Sequence, residues 1–394
     1  MRMGPDPLRV LVIAPTPFFG DRGCHVRIYE EVRGLAVRGV ETHVVTYPTG
    51  RDVEGVETTR ARAWFGADAG VLGPSRGRPV LDLSLLATCR QALRRYRPHV
   101  LHAHLHEGIA IGWVLRALHG TPLVADLQGS LAAELADHRF LVEGGMPARA
   151  AAYLERWLVR RPDRLLASSR HGASLLASQG VAAHMVEVLP DGVDVDVFRP
   201  APKDPELLES LPLAGKRVIV FLGVLTGYQG VDLLLEAVPL VVRERPEAHF
   251  LVMGYPNEAR YREVVRTRGM EHAVTLPGRI PYGDAPRWLN LGEIAVSPKQ
   301  SLTEANGKLL NYMACGLPVV ASDTPVNREL LGDDGVYTTP GDAGALAARL
   351  NDLLADPQGA RARGAALRRR AMESFAWPVL IERLDRLYRS MVAA

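Results

Sequence analysis

The sequence predicts an α/β protein made of two Rossmann-like domains, and three observations support this prediction. The chain has 394 residues, a length typical of two domains of ordinary size. One strand–loop–helix–strand series begins near Leu8, and a second begins at Arg217. In each series a short apolar strand is followed by a glycine-containing loop and a helical pattern, which is the order found at the start of dinucleotide-type folds.

The composition is that of a globular protein and argues against several other classes. Hydrophobic residues make up 47% of the chain and charged residues 23%, while a formal net charge of only +3 gives no reason to expect a nucleic-acid partner. Cys24, Cys89 and Cys315 are far apart and odd in number, which favours neither a disulfide framework nor a zinc site. No apolar run is long enough to span a membrane, and no signal peptide is recognised. We therefore expect a cytoplasmic protein.

The first domain is predicted to cover residues 1–200. Its first strand is predicted at residues 8–14, with a helix at residues 25–38 and a second strand at residues 42–47. The loop between the first strand and the helix contains two glycines but no G-x-G-x-x-G pattern, so the dinucleotide fingerprint is absent. This loop is either a tight turn alone or part of a ligand site.

Residues 50–80 are rich in glycine, arginine and proline and predict an irregular connection. The helix predicted next, at residues 83–96, ends in a group of arginines. Such a group is most often a solvated helix end, and we favour that interpretation. The alternative is peripheral contact with an anionic membrane or with an acidic acceptor.

Histidines occupy alternate positions in the following strand pattern, at His102, His104 and His106. Alternate residues of a strand lie on one face, so a metal site is one interpretation. We favour an interpretation without a metal, because no further ligand cluster stands out and the strand is expected to end midway. His102 is expected to make only core hydrogen bonds.

The second domain is predicted at residues 213–376, after a linker at residues 200–212 that contains four prolines. Apolar runs predict its strands, and the last helix of the chain is predicted at residues 377–394. One stretch of this domain predicts a strand, a loop, a helix over residues 303–316 and another strand.

On such a helix Glu304, Lys308 and Asn311 would share one face. The chain has only four lysines, and Lys299 and Lys308 lie within ten residues of each other in this stretch. An ordinary surface ion pair between Glu304 and Lys308 is the alternative interpretation. We favour a phosphate site, because an ammonium is a compact charge and a helix that follows a strand offers free N–H groups.

The same stretch resembles the signature of family 4 retaining glycosyltransferases. The match is closest over residues 311–321, Asn-Tyr-Met-Ala-Cys-Gly-Leu-Pro-Val-Val-Ala, and the resemblance extends over nearly the whole chain. It implies the GT-B fold, in which two Rossmann-like doubly wound domains face each other across a cleft. The first domain would bind the acceptor and the second the nucleotide sugar, and the terminal helix would cross back to the first domain.

The resemblance also implies a reaction. A sugar would pass from a nucleoside diphosphate sugar to an acceptor hydroxyl with retention of the anomeric configuration. No cofactor and no metal ion would be required, because fixed cations and N–H groups can stabilise the departing diphosphate.

Site residues follow from the resemblance position by position. The implied catalytic residues are His106, Glu304 and His104. The implied donor-binding residues are Gly20, Arg22, Gly23, Arg279, Lys299, Asn306, Gly307, Lys308 and Asn311. The implied acceptor-side residues are Glu107, Asp126 and Gln128.

This chain departs from the family pattern at three positions. Val224 and Gln229 stand where the family has an arginine and a lysine that hold the diphosphate, and Asn311 stands where the family has a ribose-binding glutamate. Lys299, Lys308 and Arg279 are the available substitutes for the missing cations. A catalytically inactive GT-B-fold protein that binds a sugar or a nucleotide is therefore the alternative function. Another GT-B enzyme, such as a sugar phosphorylase or a nucleotide-sugar epimerase, is a third.

Overall fold

The computed structural model describes residues 7–20, 23–63, 78–127, 145–300 and 305–393. Contacts between these residues divide the chain into two compact units. The first unit contains the described residues up to Asp191 together with those from Trp377 onward. The second unit contains most of the residues from Gly192 to Ala376.

Within the described residues, the first unit is built on a parallel sheet of seven strands. They are β1 Arg9–Ala14, β2 Glu41–Thr46, β3 Thr58–Arg60, β4 Val100–His104, β5 Leu123–Leu127, β6 Arg164–Ala167 and β7 Val186–Val188. Their order is β3-β2-β1-β4-β5-β6-β7, and each pairing is parallel. The order reverses between β1 and β4, which makes the carboxyl ends of these two strands a switch point where α/β sheets bind ligands.

Helices on this sheet bury the apolar faces of the strands. They are α1 Gly23–Val37, α2 Arg78–Tyr96, α3 Leu105–His119, α4 Met146–Leu158 and α5 Arg170–Ser178. All residues of β4 and β5 are buried, as expected for central strands of a parallel sheet that is covered on both faces.

The second unit has a parallel sheet of six strands among the residues that the structure describes. They are β8 Arg217–Leu222, β9 Ala248–Met253, β10 Val274–Gly278, β11 Ile294–Ser297, β12 Val319–Ser322 and β13 Val336–Thr338. Their order is β10-β9-β8-β11-β12-β13, again with parallel pairings. The switch point of this sheet lies between β8 and β11.

The helices of the second unit surround this sheet. They are α6 Pro205–Ser210, α7 Val231–Glu244, α8 Glu258–Thr267, α9 Ala285–Leu289, α10 Lys308–Ala314, α11 Pro325–Leu331, α12 Ala343–Ala355 and α13 Pro357–Arg370. The two doubly wound parallel sheets confirm the predicted fold class of two Rossmann-like domains.

The last helix, α14 Trp377–Val392, belongs to the first unit. Its buried side chains include Leu380, Ile381 and Leu384, which join the apolar cluster formed by β1 and α1. The packing is close, because a Cβ atom added to Gly34 of α1 would lie 2.6 Å from Cγ1 of Ile381. This helix is therefore part of the first core.

Three segments differ in local structure from what their sequence patterns suggest. The connection predicted as irregular at residues 50–80 contains β3, an edge strand whose three residues are only half-buried and therefore leave no apolar run in the sequence. The segment predicted as a linker at residues 200–212 contains α6, which the side chain of Asp204 caps. The helix predicted from about Thr303 begins instead at Lys308. Asn306, just before it, directs its side chain into the core, and this holds the segment in a non-helical conformation.

Candidate active site

The carboxyl ends of β8 and β11 lie side by side in the second unit, and the loops that follow them are in contact. The backbone N–H of Gln300 donates a hydrogen bond of 3.0 Å to the carbonyl of Tyr228. Gly230 has φ +81°, and a Cβ atom there would lie 2.0 Å from the carbonyl oxygen of Pro298. Only glycine allows this close approach, so Gly230 is needed for the contact between the two loops.

Lys308, the first residue of α10, directs its ammonium group to the end of β8. Its Nζ donates a hydrogen bond of 2.6 Å to Oε1 of Gln229. The same Nζ lies 4.5 Å from the ring centroid of Phe221, a cation–π contact. A Cβ atom on Gly223 would be 2.6 Å from Nζ. The ammonium therefore lies directly over the first residue after β8.

Three other predicted donor-binding residues lie on elements near this switch point. Lys299 follows β11 and is buried, with a 4% exposed side chain. Arg279 follows β10, is exposed, and places its guanidinium 5.0 Å from the ring centroid of Tyr255. Asn311 lies one turn after Lys308 in α10 and is half-buried.

Asn306 is buried and uses its amide inside the second unit. Its Nδ2 donates to Oγ of Ser297 at 3.1 Å and to Oδ1 of Asn327 at 2.8 Å. Asn327 in turn donates to the carbonyl of Ser322 at 2.7 Å. The side chain of Asn306 thus ties the loop before α10 to β11 and α11, and Gly307 follows it as the N-cap of α10.

The predicted helix face of three polar residues is not formed as expected. Because α10 begins at Lys308, it contains Lys308 and Asn311 but not the segment before them. Glu304 lies outside the described residues, and so do Arg22 and Gln128. Their predicted roles stay predictions.

In the first unit, the strand ends bring His104 and Asp126 together. The two residues face each other in neighbouring strands β4 and β5. His104 Nδ1 lies 3.0 Å from Oδ2 of Asp126, and both side chains are fully buried. The hydrogen bond fixes the orientation of the imidazole ring and leaves its Nε2 atom pointing away from Asp126.

Arg27 of α1 joins this pair to further acids. Its Nε atom lies 2.8 Å from Oδ2 of Asp126 and 3.0 Å from Oε1 of Glu31, and its Nη1 lies 3.0 Å from Oδ1 of Asp191. Burial alone would raise the pKa of Asp126, but Arg27, the hydrogen bond with His104 and the two nearby histidines together outweigh that effect and lower the pKa. Burial raises the pKa of Glu31 to about 7, despite the attraction of Arg27.

His106 and Glu107 lie in the first turn of α3, after β4 has ended. Only His102 and His104 therefore share the strand face that the sequence pattern predicted for three histidines. His106 is buried, which lowers the pKa of its imidazole, and its Nε2 has no hydrogen-bond partner among the described residues. Glu107 accepts a hydrogen bond from Nη1 of Arg78.

The loop after β1 is described at its two ends. The backbone N–H of Gly20 donates a hydrogen bond of 2.8 Å to Nδ1 of His25, and Gly23 begins α1. A Cβ atom on Gly23 would meet no described atom within 4 Å, so this position has open space beside it.

Comparison with known protein families covers both units. A family model described as "Glycosyltransferase Family 4" matches residues 22–197, and one described as "Glycosyl transferases group 1" matches residues 216–356. The chain belongs to the family 4 glycosyltransferases. The predicted family and the predicted glycosyltransferase activity are thereby confirmed.

Individual relatives of this glycosyltransferase carry more specific names. It is 28% identical to the D-inositol 3-phosphate glycosyltransferase of Thermobispora bispora, over 94% of this chain and 91% of the relative. It is 30% identical to a GDP-mannose-dependent alpha-(1-6)-phosphatidylinositol monomannoside mannosyltransferase of Mycolicibacterium smegmatis, over 56% of this chain and 60% of the relative. Among solved structures, Anabaena HepE in complex with UDP superposes with a TM-score of 0.77 and 18% identity, over 97% of this chain and 100% of HepE.

Sequence reasoning about this glycosyltransferase missed the charged cluster around Arg27. Arg27 and Glu31 lie at i and i+4 in a predicted helix, a spacing usually interpreted as a solvated surface pair. Their two acidic partners, Asp126 and Asp191, come from distant segments, so only the fold shows that the pair is buried.

Among the helices of the described residues, none is long and apolar enough to cross a membrane.

Proposed function

We propose that this glycosyltransferase transfers a sugar from a nucleoside diphosphate sugar to an acceptor hydroxyl, with retention of the anomeric configuration, in the cytoplasm. Two comparisons support a nucleotide-sugar donor: HepE was solved with UDP, and one relative is named GDP-mannose-dependent. Another relative is named for D-inositol 3-phosphate, which supports a sugar or inositol hydroxyl as the acceptor.

The position of Lys308 is the observation that carries this proposal. Family relatives are expected to hold the diphosphate with an arginine and a lysine where this chain has Val224 and Gln229. In this chain the Lys308 ammonium reaches the same place from α10 and lies 2.6 Å from the Gln229 amide. A cation at this position can hold a phosphate oxygen by a charge-assisted hydrogen bond.

Leaving-group stabilisation follows from the same contact. Negative charge develops on the diphosphate as the sugar leaves, and an ammonium fixed in advance by Gln229 and Phe221 stabilises it without reorganisation. We therefore propose that the transfer step uses no metal ion. His106 and Glu107, which follow the switch point of the first sheet, are proposed to lie on the acceptor side.

The experiment compares nucleoside diphosphate binding by the wild-type protein and by Lys308→Ala, using thermal shifts with UDP, GDP, ADP and dTDP. Binding stabilises a protein by mass action, so the correct diphosphate raises the melting temperature. A lost hydrogen bond between charged groups costs about 1.5–3 kcal/mol, so we expect about 10–100-fold weaker binding in the variant.

The matched control is Lys216→Ala. Lys216 lies before the amino end of β8, and its Nζ donates to the carbonyl of Pro246. We expect this variant to bind the diphosphate as the wild type does. Equal affinity in Lys308→Ala would contradict the phosphate role, and no shift with any diphosphate would favour the inactive binding protein. Once the donor is known, NMR of the product's anomeric proton tests retention.

A further inference from the structure

We propose that Glu31, His102, His104 and Asp126 bind one divalent first-row transition-metal ion, such as Zn²⁺, inside the first unit. The inference is independent of the proposed donor site, which lies in the second unit. The ion would have a structural role, because it would connect α1 to β4 and β5. His104 would then be a metal ligand rather than a group that meets the sugar.

The four side chains converge on one point. One ligand atom from each of them lies within 4.8 Å of the ligand atoms of the other three. His104 Nε2 lies 3.8 Å from Oε2 of Glu31, and His102 Nδ1 lies 3.9 Å from the same oxygen. These separations are too long for hydrogen bonds, and they are close to the spacing of two atoms that share an ion about 2.0–2.1 Å from each.

Several of these ligand atoms have no hydrogen-bond partner among the described residues. They are Nε2 of His104 and both carboxylate oxygens of Glu31, although Arg27 forms an ion pair with one of these oxygens, and Nε2 of the neighbouring His102 also has no partner there. The three side chains are at most 2% exposed. Buried polar atoms are almost always satisfied, so this group points to a bound species at their centre.

The second nitrogen of His104 is held as in known metal sites. His104 Nδ1 lies 3.0 Å from the Asp126 carboxylate, and His102 Nδ1 lies 2.7 Å from the hydroxyl of Tyr388. A metal-binding histidine normally uses its other nitrogen in such a contact, which fixes the ring and its tautomer. The His104 ring is thus oriented with Nε2 as its available ligand atom, whereas the nitrogen of His102 that lies near Glu31 is Nδ1, which also contacts the Tyr388 hydroxyl.

The charges of the cluster also favour a bound cation. Arg27 contacts three carboxylates, those of Glu31, Asp126 and Asp191, so with neutral imidazoles the group carries a net charge of −2. Uncompensated buried charge is costly, and a divalent ion would cancel it.

The ligand set favours a particular class of metal. Two imidazoles with one or two carboxylates suit Zn²⁺ and its first-row neighbours better than Ca²⁺ or Mg²⁺, which prefer oxygen ligands. Because the site is closed, the ion would be bound as the chain folds and would exchange slowly afterwards.

The test measures metal released from purified protein. The full chain is dialysed against EDTA and then unfolded in guanidinium chloride with a colorimetric Zn²⁺ indicator, while elemental analysis identifies the metal. We expect no release before unfolding and about one equivalent of metal per chain after it. Less than a tenth of an equivalent in protein grown and refolded with Zn²⁺ would overturn the proposal.

The variants are Glu31→Gln and His104→Gln, and the matched control is His249→Gln. His249 is a buried histidine of the second unit whose Nε2 lies 2.8 Å from Oγ1 of Thr275. We expect the equivalent of metal to remain in His249→Gln and to be lost in the two cluster variants, with circular dichroism reporting folding. Metal retained in folded cluster variants would overturn the proposal.

A measurement on the wild type covers the case in which the cluster variants do not fold. Refolding with Co²⁺ should give visible d–d absorption bands of a low-symmetry site with nitrogen and oxygen ligands. A spectrum identical to that of free aqueous Co²⁺ would mean that the cluster holds only water or a proton, and this would overturn the proposal.

Discussion

Arg27 and Lys308 are cations at the switch points of two similar sheets, but their surroundings differ. Arg27 is fully buried, and its guanidinium contacts three carboxylates within 2.8–3.0 Å. Lys308 is half-buried, and its ammonium contacts the neutral amide of Gln229 and the ring of Phe221. Arg27 therefore belongs to a buried cluster of charged groups, whereas Lys308 is held by neutral groups at the end of a strand.

The difference shows what each kind of contact does. Carboxylates that surround a guanidinium cancel its field, so Arg27 holds α1 to the sheet and cannot attract a substrate anion. An amide and an aromatic ring orient an ammonium through contacts that carry no net charge. Position in the fold is therefore a poor guide to function until the partners of each charged group are known.

The largest expected effect comes from removing Arg27, the cation of the buried cluster. Arg27→Met should destabilise the first unit by about 3–5 kcal/mol, because Glu31 and Asp126 would be left as uncompensated buried charges. Urea denaturation measures the effect. The matched control is Arg386→Met, since Arg386 forms an exposed pair with Glu382 and should contribute less than about 1 kcal/mol. An equal loss of stability in the two variants would mean that the cluster around Arg27 is not buried in solution.

The second-largest expected effect comes from exchanging Lys308 and Gln229. In the double variant Lys308→Gln with Gln229→Lys, an ammonium and an amide remain in contact with their positions reversed. We expect diphosphate binding within about threefold of the wild type, against about a 10–100-fold loss in Lys308→Gln alone. Isothermal titration with the diphosphate found by thermal shift measures both. No recovery in the double variant would show that the ammonium must come from α10.

The smallest effect concerns an ion pair of intermediate exposure. Arg116 donates two hydrogen bonds to Asp163, whose Oδ2 also accepts from the N–H of Leu123 at 2.9 Å. Burial alone would raise the pKa of Asp163, but these hydrogen bonds outweigh it and lower the pKa. Asp163→Asn should cost about 1 kcal/mol at neutral pH, since the pair is about one-third exposed.

The pH dependence of this loss has a definite sign. A carboxyl whose pKa is lowered by folding stabilises the protein above its unfolded pKa, about 3.9, and the stabilisation disappears as the pH falls through the folded value. Wild type and Asp163→Asn should therefore differ at pH 7 and converge below about pH 3. Asp352→Asn, in an exposed pair with Arg349, is the control and should differ little at either pH. A constant difference across this range would contradict the assignment.

Sequence patterns predicted the fold well because parallel strands leave apolar runs. The central strands β1, β4, β8 and β11 are almost wholly buried, so their residues are recognisable without a structure. The edge strand β3 leaves no such run, and the start of α10 depends on the hydrogen bonds of Asn306 with Ser297 and Asn327. Those bonds join segments that no local pattern connects.

Sequence patterns predicted only part of the candidate site, because its contacts join segments that are far apart in the chain. Lys308 was identified from the rarity of lysine and from its position after a strand, but its contact with Gln229 spans 79 residues and required the fold. The cluster around Arg27 was missed because charged residues at helical spacing normally indicate a solvated face. Here α14 covers that face of α1, so polar residues lie where a helix pattern alone predicts solvent.

The place of α14 also bears on how the cell makes this protein. Tyr388 completes the first unit through a contact with His102, a residue that lies 286 positions earlier in the chain. A ribosome adds about 5–20 residues per second, so the first unit is synthesised long before its last helix exists. The apolar residues of β1 and α1 that α14 covers stay without this cover while the entire second unit is translated. Folding of the first unit is therefore completed only after the second unit has been synthesised, and the nascent first unit is the stage at which chaperones would be most needed.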